Sequence, residues 1–140
     1  MLASPPSVST MAHKQILVVD DNEVCAKVLA QLFTTPKLKE LATFQVTVLF
    51  SAEDALRNLE IACYDLIFTD IEMTGMSGDA MARMIRESEQ EIRNAPIIAV
   101  TSKCDDESCI GYKEAGMNYC LAKPPNVESI YNIVREIMTS

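Results

Sequence analysis

The chain has 140 residues, with 12 lysines and arginines against 20 aspartates and glutamates, a net charge of −8. That balance argues against a nucleic-acid-binding surface, which needs a basic patch. It suits a site for a divalent cation, although surplus surface acid more often serves solubility. At 49% hydrophobic and 23% charged the composition is globular, and the length predicts one domain with a real core.

Residues 1–13 (MLASPPSVSTMAH) contain Pro5 and Pro6 among serines and show no periodicity. They are expected to form a disordered tail, with the folded domain over 14–140. The tail has no apolar segment of a secretion signal, and no run in the chain is long enough to span a membrane. Five cysteines (Cys25, Cys63, Cys104, Cys109, Cys120) form neither a CxxC pair nor a zinc-ligand spacing. The expectation is therefore a cytoplasmic chain, or a nuclear one if eukaryotic, with reduced thiols that pack as small apolar residues. Cys104 and Cys109, five residues apart, leave a redox role open.

From Lys14 the chain alternates between two patterns. Lys14–Asp20 (KQILVVD) reads as a buried strand that ends in Asp20-Asp21-Asn22, a turn and helix N-cap signal. Cys25, Val28, Leu29 and Leu32 recur at helical spacing, and Thr35-Pro36 stops that helix. Lys37–Thr43 reads as an inserted loop or an extension of the helix. Phe44–Phe50 is the second strand, and Ser51 caps a helix with Ala52, Ala55, Leu56 and Leu59 on its apolar face.

Leu66–Thr69 is a third strand, running straight into Asp70 and a loop punctuated by Gly75 and Gly78. A third helix covers Gly78 to about Glu89, with Met81, Met84 and Ile85 expected inward. Packing of that helix accounts for Met81 and Met84 more simply than a Met-rich partner groove with Met73 and Met76. Pro96–Thr101 is the fourth strand. Asp105–Ala115 reads as a weak helix, interrupted by Gly111 and ended by Gly116. Asn118–Ala122 is the fifth strand and Lys123-Pro124-Pro125 a turn. Val127, Ile130, Tyr131, Val134, Ile137 and Met138 give the clearest helical face. Only Thr139 and Ser140 follow, so no output domain is expected.

Five strands alternating with five helices imply an α/β fold with a parallel sheet, right-handed crossovers and helices on both faces. The flavodoxin-like five-stranded sheet, order 2-1-3-4-5, fits this length better than half of a dinucleotide-binding domain. In such a sheet the carboxyl ends of all strands share one edge. Asp20 and Asp21, Asp70, Thr101, and Lys123 each follow a different strand and are expected to converge there. Taken singly, each has a plainer role as a cap, a strand end or an exposed turn residue. Jointly they describe a site. Three carboxylates repel one another unless a cation neutralises them, and Mg²⁺ is the natural oxygen-liganded ion. Asp70 would then be a nucleophile that forms an aspartyl phosphate, with Lys123 and the Thr101 hydroxyl stabilising the transferring oxygens.

The segments ILVVDDN (16–22), YDLIFTDIEMTGMSG (64–78), APIIAVTS (95–102) and GMNYCLAKP (116–124) resemble the receiver domain of two-component response regulators, over about residues 14–138. The resemblance implies that Asp70 is the phosphoacceptor, supplied by a phosphohistidine of a histidine kinase or a histidine phosphotransfer protein. It implies that Asp20, Asp21 and Asp70 hold Mg²⁺ with the backbone carbonyl of Glu72. Thr101 would be the switch hydroxyl, Lys123 the phosphate-contacting lysine and Lys123-Pro124 a cis bond. Ser102 and the Glu72 side chain would flank the attacking water; an exposed loop role for Glu72 is the plainer alternative. Such a domain catalyses only its own phosphorylation and slow dephosphorylation, and signals to an effector protein by changing conformation.

The chain departs from the family pattern at three places. Thr74 follows Met73 where proline is usual, which would loosen the loop. Lys37–Thr43 lengthens the first helix–strand connection. Cys120 stands where an aromatic switch residue is common, three positions before Lys123. Strand alternation points Tyr119 and Cys120 to opposite faces, so a Thr–Tyr coupling would need a register shift or a bulge.

Two other readings stand beside this one. One is a pseudo-receiver that binds partners without being phosphorylated. The other is a haloacid-dehalogenase-type phosphatase, echoed by Asp70-Ile71-Glu72 but lacking the second aspartate, the first-strand position and a cap domain. The GMNYCLAKP ending resembles receivers of hybrid kinases and eukaryotic phosphorelays more than those of DNA-binding regulators.

Overall fold

The apolar runs that read as strands join in one sheet, and the three with the longest buried stretches lie in its middle. A computed structural model describes residues 12–139; the disordered-tail expectation for residues 1–11 lies outside the described residues. The elements are β1 (His13–Val19), α1 (Glu23–Leu32), α2 (Pro36–Lys39), β2 (Thr43–Leu49), α3 (Ala52–Leu59), β3 (Leu66–Asp70), α4 (Gly78–Glu87), β4 (Ile97–Thr101), α5 (Asp106–Glu114), β5 (Tyr119–Ala122) and α6 (Val127–Met138). The five strands form one parallel sheet in the order β2-β1-β3-β4-β5, the flavodoxin-like order. β1, β3 and β4 lie inside the sheet and carry the longest buried stretches, because both their faces are covered.

Alternation along the strands sorts side chains into two layers. Leu17, Val19, Ile67, Ile97 and Ala99 pack with Ala55, Leu59, Met81 and Ile85 on the α3–α4 side. Ile16, Val18, Phe68, Ile98 and Val100 pack with Ala26, Leu29, Phe33, Ile130 and Val134 on the α1–α6 side. Side-chain caps set the helix starts: Asn22, Ser51, Ser77, Asp105 and Asn126 each accept a backbone N–H of the following turn.

Several elements differ from the sequence reading. β1 starts at His13, inside the stretch expected as tail. The connection at 37–43, expected as an inserted loop or an extension of the first helix, begins in a separate sixth helix, α2, because Pro36 sits at its first position and Leu38 is fully buried. The Lys37 ammonium lies 4.3 Å from the Tyr131 ring centroid, so this insertion docks on α6. Met84 points outward and is 49% exposed, while Ala82 takes the buried position. Cys25 and Val28 are exposed, and Ala26 with Leu29 forms the buried stripe of α1. α5 runs unbroken through Gly111. A 3₁₀ turn at Glu91–Asn94, unforeseen, leads into β4. Cys104 and Cys120, expected as free thiols, are paired as a disulfide.

One clamp at the opposite end of the sheet was also unforeseen. Arg86, in the last turn of α4, donates to the carbonyls of Gly116 (2.9 Å), Arg93 (2.6 Å) and Ala95 (2.7 Å) and to Asn118 Oδ1 (2.9 Å). Asn118 Oδ1 also accepts the Ile97 N–H at 2.8 Å. One guanidinium thus ties α4 to the starts of β4 and β5, which a methyl group cannot do. Arg86→Ala is expected to lower stability by about 3 kcal/mol, because partly buried carbonyls lose a charged donor. Urea unfolding should show a lower midpoint with an unchanged slope.

Candidate functional site

The C-terminal edge of the sheet gathers residues up to 103 positions apart in sequence. β1 ends one residue before Asp20 and β3 ends at Asp70, and the two strands pair directly. Because Asn22 takes the N-cap of α1, Asp20 and Asp21 are released from that role. Asp20 is 5% exposed, and its Oδ1 accepts the Asn22 N–H at 2.9 Å. Asp70 Oδ1 accepts the Ile71 N–H at 2.8 Å. Carboxylate oxygens of Asp20, Asp21 and Asp70 all lie within 4.8 Å of one another.

Lys123 reaches into this cluster from the end of β5. Its ammonium donates to Asp20 Oδ2 at 3.1 Å and lies 3.3 Å from Asp70 Oδ1. The Lys123-Pro124 bond is cis. One ammonium faces three carboxylates, so the site keeps a surplus of negative charge. Burial, and then the Asp20 charge, push the Asp70 carboxyl above the usual carboxylate range; Lys123 and the Ile71 N–H offset only part of this. Burial works against the Lys123 ammonium, but Asp20 and Asp70 together outweigh it and hold its pKa above that of an ordinary lysine. Clustered hard oxygen donors with uncompensated charge fit a magnesium ion.

Thr101 ends β4, one residue beyond Val100, the register partner of Asp70. It is buried, and its Oγ1 accepts the Lys103 N–H at 3.1 Å within its own loop. Glu72 is exposed beside Asp21 in the wall of the cleft, with Ser77 and Asp79. Ser102 is exposed in the loop after Thr101.

The loop after β3 is pinned rather than loosened. The Thr74 N–H donates to Asp21 Oδ2 at 2.8 Å, a bond proline cannot make. The Met76 N–H donates to Glu53 Oε2 at 3.2 Å. Gly75 turns the chain between them with φ +83°. The Gly78 N–H closes the loop on the Ile71 carbonyl at 2.8 Å. In the sequence Gly78 reads as loop punctuation and the start of a helix. A Cβ there would lie 2.0 Å from the backbone oxygen of Asp70, so α4 can start against the acceptor only through glycine.

β5 pairs with β4 in regular register, Ile98 opposite Tyr119 and Ala99 opposite Cys120, and no bulge intervenes. Tyr119 accordingly packs on the α1–α6 side, where burial and the neighbouring Glu136 raise its phenol pKa. Cys120 packs on the other side, where β4 presents Ile97 and Ala99.

Comparison with known proteins agrees with this geometry. The profile of the response regulator receiver domain matches residues 16–135. The chain is 29% identical over 135 residues to stress response regulator protein 1 of Meyerozyma guilliermondii, covering 94% of this chain and 57% of that protein. It is 30% identical over 129 residues to the CAI-1 autoinducer sensor kinase/phosphatase CqsS of Vibrio cholerae, covering 92% of this chain and 18% of that protein. It therefore spans less than two thirds of the length of either relative. Among solved structures, the receiver domain of the Pseudomonas aeruginosa sensor histidine kinase PA1611 superposes with a TM-score of 0.78 at 30% identity, over 92% of this chain and all of that one. That domain was crystallised with a magnesium ion coordinated in its active-site cleft. A profile match over nearly the whole chain, joined to the strand order and the acidic edge, places this chain in the response regulator receiver domain family of two-component signalling.

Proposed function

We propose that the chain accepts a phosphoryl group on Asp70 from a phosphohistidine of a histidine kinase or histidine phosphotransfer protein, and passes the event on through a conformational change. The observation that carries this reading is the convergence of Asp20, Asp21, Asp70 and Lys123 on one sheet edge. Asp20, Asp21 and Asp70, with the Glu72 backbone carbonyl, would hold Mg²⁺. When bound, the ion offsets negative charge on the carboxylates and on the phosphoryl oxygens.

The Asp70 carboxylate attacks phosphorus as the P–N bond to the donor imidazole breaks, and the freed imidazole carries the leaving electron pair. Lys123 leaves its carboxylate partners to meet the incoming phosphoryl oxygens. The Thr101 hydroxyl accepts a bond from Lys103, which leaves its own proton to donate to the phosphoryl group. Asp20 and Asp21 hold charge and geometry and are not consumed. The chain catalyses only acceptance on itself and slow hydrolysis. Val24, 71% exposed, and Val28 line an apolar groove beside Asp20, Lys123 and Pro124, a landing surface for the donor protein.

Incubation with acetyl phosphate and Mg²⁺ should add about 80 Da, in an adduct stable in acid and lost in base. EDTA added beforehand should prevent it. Failure to form the adduct with Mg²⁺ present would leave a binding module without phosphoryl chemistry. Rapid multiple turnover of small phosphomonoesters would instead indicate a phosphatase.

A further inference from the structure

The α5–β5 side of the site holds a second cluster of reactive groups that phosphoryl chemistry does not use. Cys104 lies in the loop three residues beyond Thr101, Cys109 in α5, and Cys120 in β5, three residues before Lys123. Their sulfurs lie within 4.8 Å of one another, and all three residues are partly exposed. Cys104 and Cys120 are bonded, with their Cα atoms 6.3 Å apart, inside the span a disulfide bridges. Cys109 remains a free thiol beside that bond. Three cysteines from a loop, a helix and a strand thus meet at one place, while Cys25 and Cys63 stay exposed as free thiols.

The surroundings give this bond mechanical leverage. α5 has no buried residue of its own. Tyr112, part-buried, holds it to the neighbouring loop by donating its hydroxyl to the Lys103 carbonyl at 3.0 Å. The Thr101 hydroxyl is bonded to the Lys103 N–H, one residue before Cys104. Fastening Cys104 to β5 therefore fixes the loop that aims Thr101. A segment with little packing of its own is where one covalent tie changes most.

We propose that Cys104, Cys120 and Cys109 form an oxidation site for peroxides that locks the Thr101 loop onto β5. Its effect on phosphoryl acceptance rests on the reading of Asp70 given above. In the reduced protein one thiolate of the Cys104–Cys120 pair attacks a peroxide oxygen; the O–O bond breaks, a sulfenic acid forms and water leaves after protonation. The second thiolate attacks the sulfenic sulfur, the S–S bond forms and a second water leaves. Two thiols thus lose two electrons and two protons, and hydrogen peroxide becomes two waters. The Cys109 thiolate can attack either sulfur of the bond, releasing one thiol and transferring the bridge within the cluster. A soft metal is the competing occupant of three cysteines, but with Cys104 and Cys120 bonded to each other only Cys109 offers a thiolate.

The test uses the full chain, reduced, freed of reductant and treated with one equivalent of hydrogen peroxide. The intact mass should fall by about 2 Da. Non-reducing peptide mapping should show a Cys104–Cys120 link, with Cys25 and Cys63 still open to alkylation. The same link should form in Asp70→Asn, since the site does not need phosphorylation. Cys120→Ser should abolish it, and Cys109→Ser should not. The oxidised protein should form the acetyl phosphate adduct several-fold more slowly than the reduced protein, and dithiothreitol should restore the rate. If the link forms and neither state gives an adduct, the oxidation site stands and the Asp70 reading fails. Equal adduct rates in both states overturn the coupling. Over-oxidation of single cysteines without the link, or stoichiometric zinc binding by the reduced protein that blocks the link, overturns the site.

Discussion

Asp70→Asn should lose the phosphoryl adduct completely and, in metal-free buffer at pH 7, should melt at a higher temperature than the parent. The first effect follows because the amide lacks the carboxylate nucleophile. The second follows from the raised pKa of Asp70, caused by burial and then by Asp20. A carboxyl whose folded pKa lies above its unfolded value of 3.8 holds its proton more tightly in the fold, so ionising it costs stability. That cost is absent below the unfolded pKa, grows as pH rises through the window up to the folded value, and is complete above it. Asparagine removes the charge, and Lys123 still pairs with Asp20 at 3.1 Å. Melts in EDTA across the acid range should show the variant ahead at neutral pH, by about 4 °C per kcal/mol relieved, with the gap closing toward low pH. A variant that melts at or below the parent at neutral pH would show that the ion pair with Lys123 outweighs the crowding of charge. Mg²⁺ should narrow the gap by stabilising the parent more than the variant.

Gly78→Ala should be the most damaging single-methyl change in the chain. Its Cβ would stand 2.0 Å from the Asp70 carbonyl oxygen, 3.0 Å from the Asp70 carbonyl carbon and 3.1 Å from Thr69 Oγ1. Two of these atoms are backbone, so no rotamer change relieves the collision, and α4 must move off β3. The shift breaks the Gly78–Ile71 hydrogen bond that closes the loop and displaces the acceptor carboxylate. A cost of at least about 3 kcal/mol is expected, near 10 °C in melting temperature. Adduct formation in the surviving folded protein should slow about a hundredfold, since misplacing a reacting group by an ångström costs that much. Gly111→Ala is the control. Its Cβ meets nothing within 4 Å in the middle of α5, so alanine there should be neutral or stabilising by up to about 1 kcal/mol. A Gly78→Ala protein with parental stability and adduct rate would refute the packing argument.

These two glycines illustrate what could be read in advance. Both looked like punctuation, and in sequence Gly111 looked the more disruptive. The structure reverses the order, because the cost of a methyl group depends on what lies opposite, and neighbours in sequence do not report that. The 37–43 segment is a similar case. Pro36 and Leu38 carry a helical turn, but only the apolar layer shared with α1 and α6 gives Leu38 somewhere to be buried. Met84 and Cys25 fell on the right helical periods and still face outward, because neighbouring positions such as Ala82 and Ala26 permit closer helix–sheet contact.

What the sequence alone determined is what local chemistry encodes. Apolar runs at strand length had to be buried, capping residues set the helix starts, and βα alternation implied a parallel sheet with all strand ends on one edge. From that rule Asp20, Asp21, Asp70, Thr101 and Lys123 could be assigned to a common edge before any contact was known. Only the tertiary structure decided contacts that depend on ångström distances between remote segments. These include Lys123 between Asp20 and Asp70, the Thr74 N–H on Asp21, the Arg86 clamp, the glycine against Asp70, and the meeting of Cys104, Cys109 and Cys120. The physical reason is that side-chain period and propensity act over a few residues, whereas a cysteine's partner is chosen by strand register and loop path together.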